Sequence, residues 1–471
     1  MTNISRRDFL KGAAAFGLSA GILGSGSAFA EESAENSAVA AAGIGAGMIE
    51  NSVVEVDPIT AVDEEATYDV VVVGAGTTGI PAALAAVESG ASVAVLQKQN
   101  VVFAQGNLCA YVDLDKSDDI GVAQYIYELH SIYDHRGNIA LHRLYAYKSQ
   151  EAVSWFLDEL DAIGFENKKE SDSKLHVYDD GSCQLVGTLF PAQMIEPMTA
   201  LAPVCEEKGV KIYYGTPAVQ LVKENGAVTG VIGKTEDGKY IKLNASKGVI
   251  LATGDYQNNP EMVKRYTPDA DFFARKQSQK TGDGHLMGML AGAVMEPGTH
   301  CKMVHASGAG VMREEPLLAL NMNGERFMYE DIEYGDRNTI LRDQPENMMV
   351  SLFDANYMEQ VTGWGSDPTV PTVGNASEEK LASFVEKGVV LKADTLEELC
   401  EAAGLPVEAS LASVARYNEL CAMGKDLDFG KSSKYMKPVD TAPFYAQVRV
   451  FQISAIPAGL IINKSTPTVD S

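Results

Sequence analysis

The six residues Gly74-Ala75-Gly76-Thr77-Thr78-Gly79 have the types and the spacing to hold a diphosphate. In a GxGxxG turn each glycine has its own task. Gly74 allows the tight turn, Gly76 lets backbone approach a pyrophosphate, and Gly79 lets the next helix pack closely on the strand. The N–H groups and positive dipole end of that helix then face the phosphates. A lone GxGxxG is common, so its surroundings decide. Residues 70–73 (VVVV) predict a fully buried strand before the turn, and residues 80–88 an Ala-rich helix after it. Gly90 stops the helix, and residues 93–96 predict a second strand. Together they form a dinucleotide-binding unit, with Ala75 and Thr78 as further cofactor contacts. The end of the second strand usually carries an acid for the ribose hydroxyls, but here it carries Gln97 and then Lys98. A neutral amide still hydrogen-bonds a hydroxyl, without charge-assisted strength.

The whole chain must supply the scaffold for this turn. With 471 residues, 46% of them hydrophobic, it can bury large cores in two or more lobes. Its 43 glycines and 2 tryptophans fit a Gly-punctuated α/β protein. Lys+Arg number 38 against 64 Asp+Glu, and a net charge of −26 repels nucleic acid. Among the six cysteines there is no CxxC or CxxCH, so neither c-type haem nor a Cys-rich metal or iron–sulfur site is supported. The expected metal complement is none.

Arg6 and Arg7 precede Phe9, Leu10 and Lys11, a Gly/Ala stretch, and a small-x-small site at Ala28-Phe29-Ala30. This predicts a twin-arginine signal peptide over 1–30, and hence a protein of the periplasm or the outer face of the cytoplasmic membrane, without a membrane span once processed. That route carries folded proteins, often with a cofactor installed. Residues 31–67, Ala/Glu/Ser-rich without clear period, predict a flexible linker.

Further along, residues 216–266 predict a β-meander with turns at Asn225-Gly226 and Asp237-Gly238, returning through a strand to Ala252-Thr253-Gly254. With "QGNLCA" (105–110), "TGDGHLMGMLAGA" (281–293) and "LNMNGERFMYE" (320–330), this order resembles the flavoprotein family of fumarate reductase and succinate dehydrogenase. The likeness is to its exported fumarate-reductase-like branch, with urocanate reductases and 3-ketosteroid dehydrogenases. The resemblance implies FAD as the cofactor. It also implies an α/β fold: a Rossmann-like FAD-binding lobe with a β-meander over 68–299, an inserted α+β capping domain over 300–450, and a return to the first lobe over 451–471. Implied cofactor contacts include Gln105, Gly106, Asn107, Val219, Ala252, Thr253, Gly254, Gly282 and Asp283.

The implied chemistry is hydride transfer from reduced flavin to a C=C bond conjugated to a carboxylate or carbonyl. Such a site needs cationic donors on the oxygen and a proton source for the second carbon. The resemblance points to Arg337, near Glu330, Glu333 and Asp336, as proton donor, and to His305 as a substrate-binding residue. The alternatives are a surface Arg in a solvated acidic cluster and a satisfied structural His, with His300 a weaker competitor. Implied partners are a small unsaturated carboxylate or enone and an external electron donor, a cytochrome or quinol system.

The chain closes on "AIPAGLIINKSTPTVDS", which lacks the His-Thr-x-Gly-Gly-Leu and GLYAAGE stretches of relatives. This predicts a fold that stops before its last flavin-facing helix. Two readings follow: an exported FAD-dependent reductase, or a truncated, catalytically inactive flavoprotein fragment with residual FAD binding.

Overall fold

The computed structural model describes residues 37–132, 135, 137–170, 180–271, 273–306, 315–332, 337, 340–364 and 377–463. The expected signal peptide, residues 31–36, Glu333, Asp336 and the tail 464–471 lie outside the described residues. The chain forms two compact units. The first takes the described residues up to Asp271, then Gln277–Cys301 and the residues from Ile456. The second takes 273–276 and Lys302–Ala455. The return to the first unit thus begins at Ile456 rather than at 451, because the last strand of the second unit runs on to Ala455.

In the first unit, α1 (Ser37–Ala41) and α2 (Ala46–Glu50) precede β1 (Glu64–Val73). The flexible linker expected over 31–67 is therefore ordered throughout its described part. Val39, Ile44, Met48 and Val54 are buried, Asn259 donates from Nδ2 to the Met48 carbonyl (2.7 Å), and Glu55 N donates to the Val219 carbonyl (2.9 Å). Apolar burial and these long-range hydrogen bonds outweigh the segment's weak local preferences.

Next come α3 (Gly79–Glu88), β2 (Val93–Leu96), β3 (Leu108–Val112), α4 (Asp119–Ile132), α5 (Ile139–Ala162), β4 (Lys169–Glu170), β5 (Leu185–Leu189), α6 (Ile195–Glu207) and β6 (Lys211–Tyr213). The meander β7 (Ala218–Glu224), β8 (Ala227–Lys234) and β9 (Tyr240–Leu251) follows, then α7 (Pro260–Tyr266) and α8 (Asp283–Leu290).

The main sheet has the order β6-β2-β1-β9-β8-β7. β1 lies parallel to both β2 (Val70↔Val93) and β9 (Val70↔Gly248), while β7, β8 and β9 run antiparallel. Asn225 (φ 52°) and Gly226 (φ 86°) both take the left-handed conformation that a two-residue hairpin requires. The apolar strands β1 and β2 are covered by α3 and α6, whose Ile80, Leu84, Met198 and Leu201 share one core with Val72, Val93 and Val95. A strand packed on both faces needs this uninterrupted run of apolar residues. The result is a rigid base for the Gly74–Gly79 turn.

The second unit contains β10 (Ala274–Arg275), β11 (Met303–Ala306), β12 (Leu318–Asn321), β13 (Met348–Phe353), α9 (Tyr357–Trp364), α10 (Glu378–Glu386), β14 (Leu391–Ala393), α11 (Leu396–Ala403), α12 (Val407–Met423) and β15 (Phe444–Ala455). β15 is its spine, pairing with β10, β11, β13 and β14. Leu320, Val350, Leu352 and Ala446 of the sheet pack against Leu399 of α11 and Val414 and Tyr417 of α12. Among the described residues no helix is long and apolar enough to cross a membrane.

Candidate functional site

A cavity of about 430 Å³ opens in the first unit where β1, β2 and β9 end. That is the side of a parallel sheet where ligands bind, and the volume lies within the range of small-molecule sites. Its walls include Gly74, Ala75, Gly76, Thr77, Thr78, Gln97, Lys98, Gln105, Ala252, Thr253, Gly254 and Asp283. Two glycines make the turn possible. A Cβ on Gly74 (φ +107°) would lie 2.3 Å from the Ala252 carbonyl oxygen, and one on Gly79 only 1.7 Å from the Gly74 carbonyl oxygen. α3 begins at Gly79, and the cavity lies at its N-terminus.

Gln97 does not reach outward as a ribose anchor would. Its Oε1 accepts from Ala75 N (3.0 Å) and its Nε2 donates to the Val101 carbonyl (2.7 Å). The neighbouring cations are paired. Lys98 Nζ donates to Asp283 Oδ2 (2.9 Å) and Thr281 Oγ1 (3.0 Å). Lys280 Nζ donates to Asp255 Oδ2 (3.1 Å) and to Gln105 Oε1. Asp283 Oδ1 accepts from Thr281 Oγ1 (2.7 Å) and from Val53 N (3.2 Å), tying the N-terminal segment to the cavity wall. His285 also lines the cavity; burial pulls its pKa down to about 4, so it stands neutral at physiological pH.

Of the expected cofactor contacts, Gly79, Gly106, Asn107, Val219 and Gly282 lie outside the cavity lining. Gly79 serves packing. Gly106 and Asn107 give their carbonyls to Met194 N and Phe190 N. Val219 is buried and gives its carbonyl to Glu55, while Pro217 and Ala218 take its place at the wall. A Cβ on Gly282 would lie 2.5 Å from Met262 Sδ and 2.8 Å from Tyr256 Cβ. Sequence reasoning missed Lys280, His285, Leu460 and Ile462. The first two flank the Thr281-Gly282-Asp283-Gly284 turn, which was the available signal. Leu460 lies in the Gly459-Leu460 pair that the C-terminal stretch keeps in common with relatives, and Ile462 carried no signal.

The donor set fits a dinucleotide: a turn with glycine at 74, 76 and 79, at a helix N-terminus, for the diphosphate, with two lysines at the walls. A family model described as an FAD binding domain matches residues 69–470. The chain belongs to this FAD-binding family. It is 28% identical to a vinyl phenol reductase of Lactiplantibacillus plantarum over 80% of this chain and 82% of that protein. With a urocanate reductase of Eggerthella lenta it shares 26% identity over 86% of this chain and 67% of that protein. The open conformation of a flavocytochrome c3 fumarate reductase has the same fold, with a TM-score of 0.67 at 23% identity over 86% of this chain and 70% of that one. FAD is therefore the dinucleotide, and the chain is an FAD-dependent oxidoreductase of a family acting on C=C bonds.

In the second unit Arg337 is buried, at 2% exposure, and its Nη2 donates to the Glu330 carbonyl (2.9 Å). The surface reading of this arginine is overturned, because the fold encloses it. Nearby, Arg326 grips Glu330 with two hydrogen bonds (2.8 and 2.9 Å) and also reaches Asp426 (2.8 Å). Lys431 Nζ adds contacts to Glu330 (3.1 Å), the Pro316 carbonyl (2.6 Å) and the Tyr417 hydroxyl (2.8 Å). Burial pushes the Glu330 carboxyl up, but Lys431 and Arg326 outweigh it and hold its pKa below the usual range.

His305 lies in β11 opposite Gln452 of β15, and its side chain lies outside the described residues. His300 belongs to the first unit. Its Nε2 donates to the Glu296 carbonyl (2.9 Å), which leaves Nδ1 to accept from the Tyr256 hydroxyl (2.6 Å), and its ring stacks on Tyr266 at 4.9 Å. That is a satisfied structural histidine.

Proposed function

We propose that this chain is an exported, extracytoplasmic FAD-dependent reductase that saturates a C=C bond conjugated to a carboxylate, a carbonyl or a phenol ring. The observation that carries this reading is the dinucleotide cavity built on Gly74, Gly76 and Lys280, in a chain whose relatives include reductases of vinyl phenol and urocanate. Reduced FAD, when bound, supplies the hydride. The protein's own groups do the rest. The turn and the α3 N-terminus hold the diphosphate. Arg337, oriented by the Glu330 carbonyl, gives a proton to the carbon that takes no hydride, and His305 holds the substrate's carboxylate or carbonyl oxygen. Hydride plus proton saturate the bond; an external cytochrome or quinol donor returns the electron pair, and solvent returns the two protons, one of them to Arg337.

The test is anaerobic. FAD-loaded protein reduced with dithionite is mixed with fumarate, urocanate, acrylate, a cinnamate, 4-vinylphenol and a steroid enone. One of them should reoxidise the flavin and yield the saturated product; silence from the whole panel sinks the reading. Arg337→Ala should slow that reoxidation by about 10²–10⁴-fold without loss of bound FAD. Export is tested separately: replacing Arg6 and Arg7 with lysine keeps charge but removes the planar guanidinium, and an unchanged extracytoplasmic yield would discard that part.

A further inference from the structure

We infer that Gln97 is a positioning residue that clamps the two backbone segments forming the diphosphate wall, and that its amide rather than a carboxylate is required there. Three observations support this. Its side chain is buried at 5% exposure, with both polar ends engaged on backbone: Oε1 accepts from Ala75 N inside the glycine turn, and Nε2 donates to the carbonyl of Val101. The loop it reaches is the opposite wall of the turn. A Cβ on Gly76 would lie 3.0 Å from the Phe103 carbonyl oxygen, and Thr77 Oγ1 donates to the Gln105 carbonyl (2.9 Å). Phe103, Ala104 and Gln105 all line the cavity. The width of the diphosphate slot is therefore set by how firmly residues 101–105 are held against residues 74–77, and Gln97 spans them beside the Thr77 Oγ1–Gln105 bond and the Phe103 N–Ala75 carbonyl bond, as the side chain that engages both segments from β2.

A carboxylate can only accept hydrogen bonds. In Gln97→Glu, Ala75 N keeps its acceptor, but the second oxygen faces the Val101 carbonyl at the 2.7 Å now occupied by a donor. The loop must move away, or the carboxyl must bind a proton; burial and an acceptor neighbour both raise its pKa. The variant that restores the acid normal at this position therefore weakens FAD binding instead of strengthening it.

FAD titration of the apoprotein, followed by flavin fluorescence from pH 5.5 to 8.5, tests this. The wild type carries the same Lys98, Asp283, Asp255, Lys280 and His285 around the cavity, so its profile is the reference and only the difference belongs to residue 97. At pH 8, Gln97→Glu should bind FAD at least tenfold more weakly, and the deficit should close as pH falls and the introduced carboxylate takes up a proton. Gln97→Met, which can neither donate nor accept, should bind weakly at every pH. Binding by Gln97→Glu at pH 8 as tight as that of the wild type, or tighter, would overturn the inference and place residue 97 on the ribose. If Gln97→Glu fails to fold, Gln97→Met decides: unchanged FAD affinity in that variant overturns the inference equally.

Discussion

At the cavity of the first unit, charge is held in separate pairs: Lys98–Asp283, with side chains 29% and 10% exposed, and Lys280–Asp255, at 13% and 7%. In the second unit, Arg326, Glu330, Asp426 and Lys431 form one network in which no side chain is more than 6% exposed. The first arrangement is exchangeable. A lysine at the cavity wall can turn from its aspartate towards a phosphate, and Asp283 would keep its bonds from Thr281 Oγ1 and Val53 N when Lys98 does so. The second is closed, since each of the four charges has its partner inside the network. Removing one strands the others in a medium that cannot solvate them. Ligand recognition and structural charge thus look alike in composition and differ in connectivity.

For the cofactor, the comparison is broken most severely at the backbone beneath the first arrangement. Gly79→Ala forces a Cβ to 1.7 Å from the Gly74 carbonyl oxygen, so FAD binding should vanish and the first unit should lose about 3 kcal/mol. Retention of the yellow cofactor on purification would contradict the packing role given to Gly79.

In the second unit, Arg326→Met leaves Glu330 and Asp426 short of a cation and should cost about 3–5 kcal/mol in urea melts, with FAD affinity unchanged. A loss below about 1 kcal/mol would mean that the network is solvated and the contrast fails.

His285 gives a pH signature that belongs to the first unit. Its pKa falls from 6.5 unfolded to about 4 folded, so below pH 6.5 the unfolded chain binds a proton that the folded chain refuses. Its stabilising contribution is complete above pH 6.5 and is lost as pH falls towards 4, a difference on the order of 3 kcal/mol. The urea midpoint should drop over that window in the wild type and drop less in His285→Leu.

The smallest effect is expected at Lys98→Met. This pair is partly exposed, so stability should change by less than about 1 kcal/mol, while FAD affinity falls several-fold. A large stability loss here would make the two charge arrangements equivalent.

What the sequence disclosed follows the same division. Strand, glycine turn, helix and second strand were legible because each is specified by neighbours within a few residues, and so was the β7–β8–β9 meander with its Asn225-Gly226 turn. The inward turn of Gln97 was not. Its partners, Ala75 and Val101, become neighbours only once β1 and β2 pair. Arg326 and Glu330 stand four apart and could be matched by eye, whereas Asp426 and Lys431 lie about a hundred residues on. Residues 37–63 misled because Val39, Ile44, Met48 and Val54 follow no helical or strand period. Burial of those side chains and hydrogen bonds to distant backbone order the segment, and neither leaves a local pattern.

The spine strand β15 has a consequence for synthesis. Residues 444–455 are made only after the strands with which they pair, which begin at 274, 303, 348 and 391. A growing chain cannot close the second sheet until residue 455 has left the ribosome, and until then β11 and β13 wait with unpaired edges. Such late, long-range closure is slow and exposes those edges to other chains. Ribosome-bound chains whose residues 444–455 are still inside the exit tunnel should be cut readily by protease within the second unit, and chains in which residue 455 has emerged should resist.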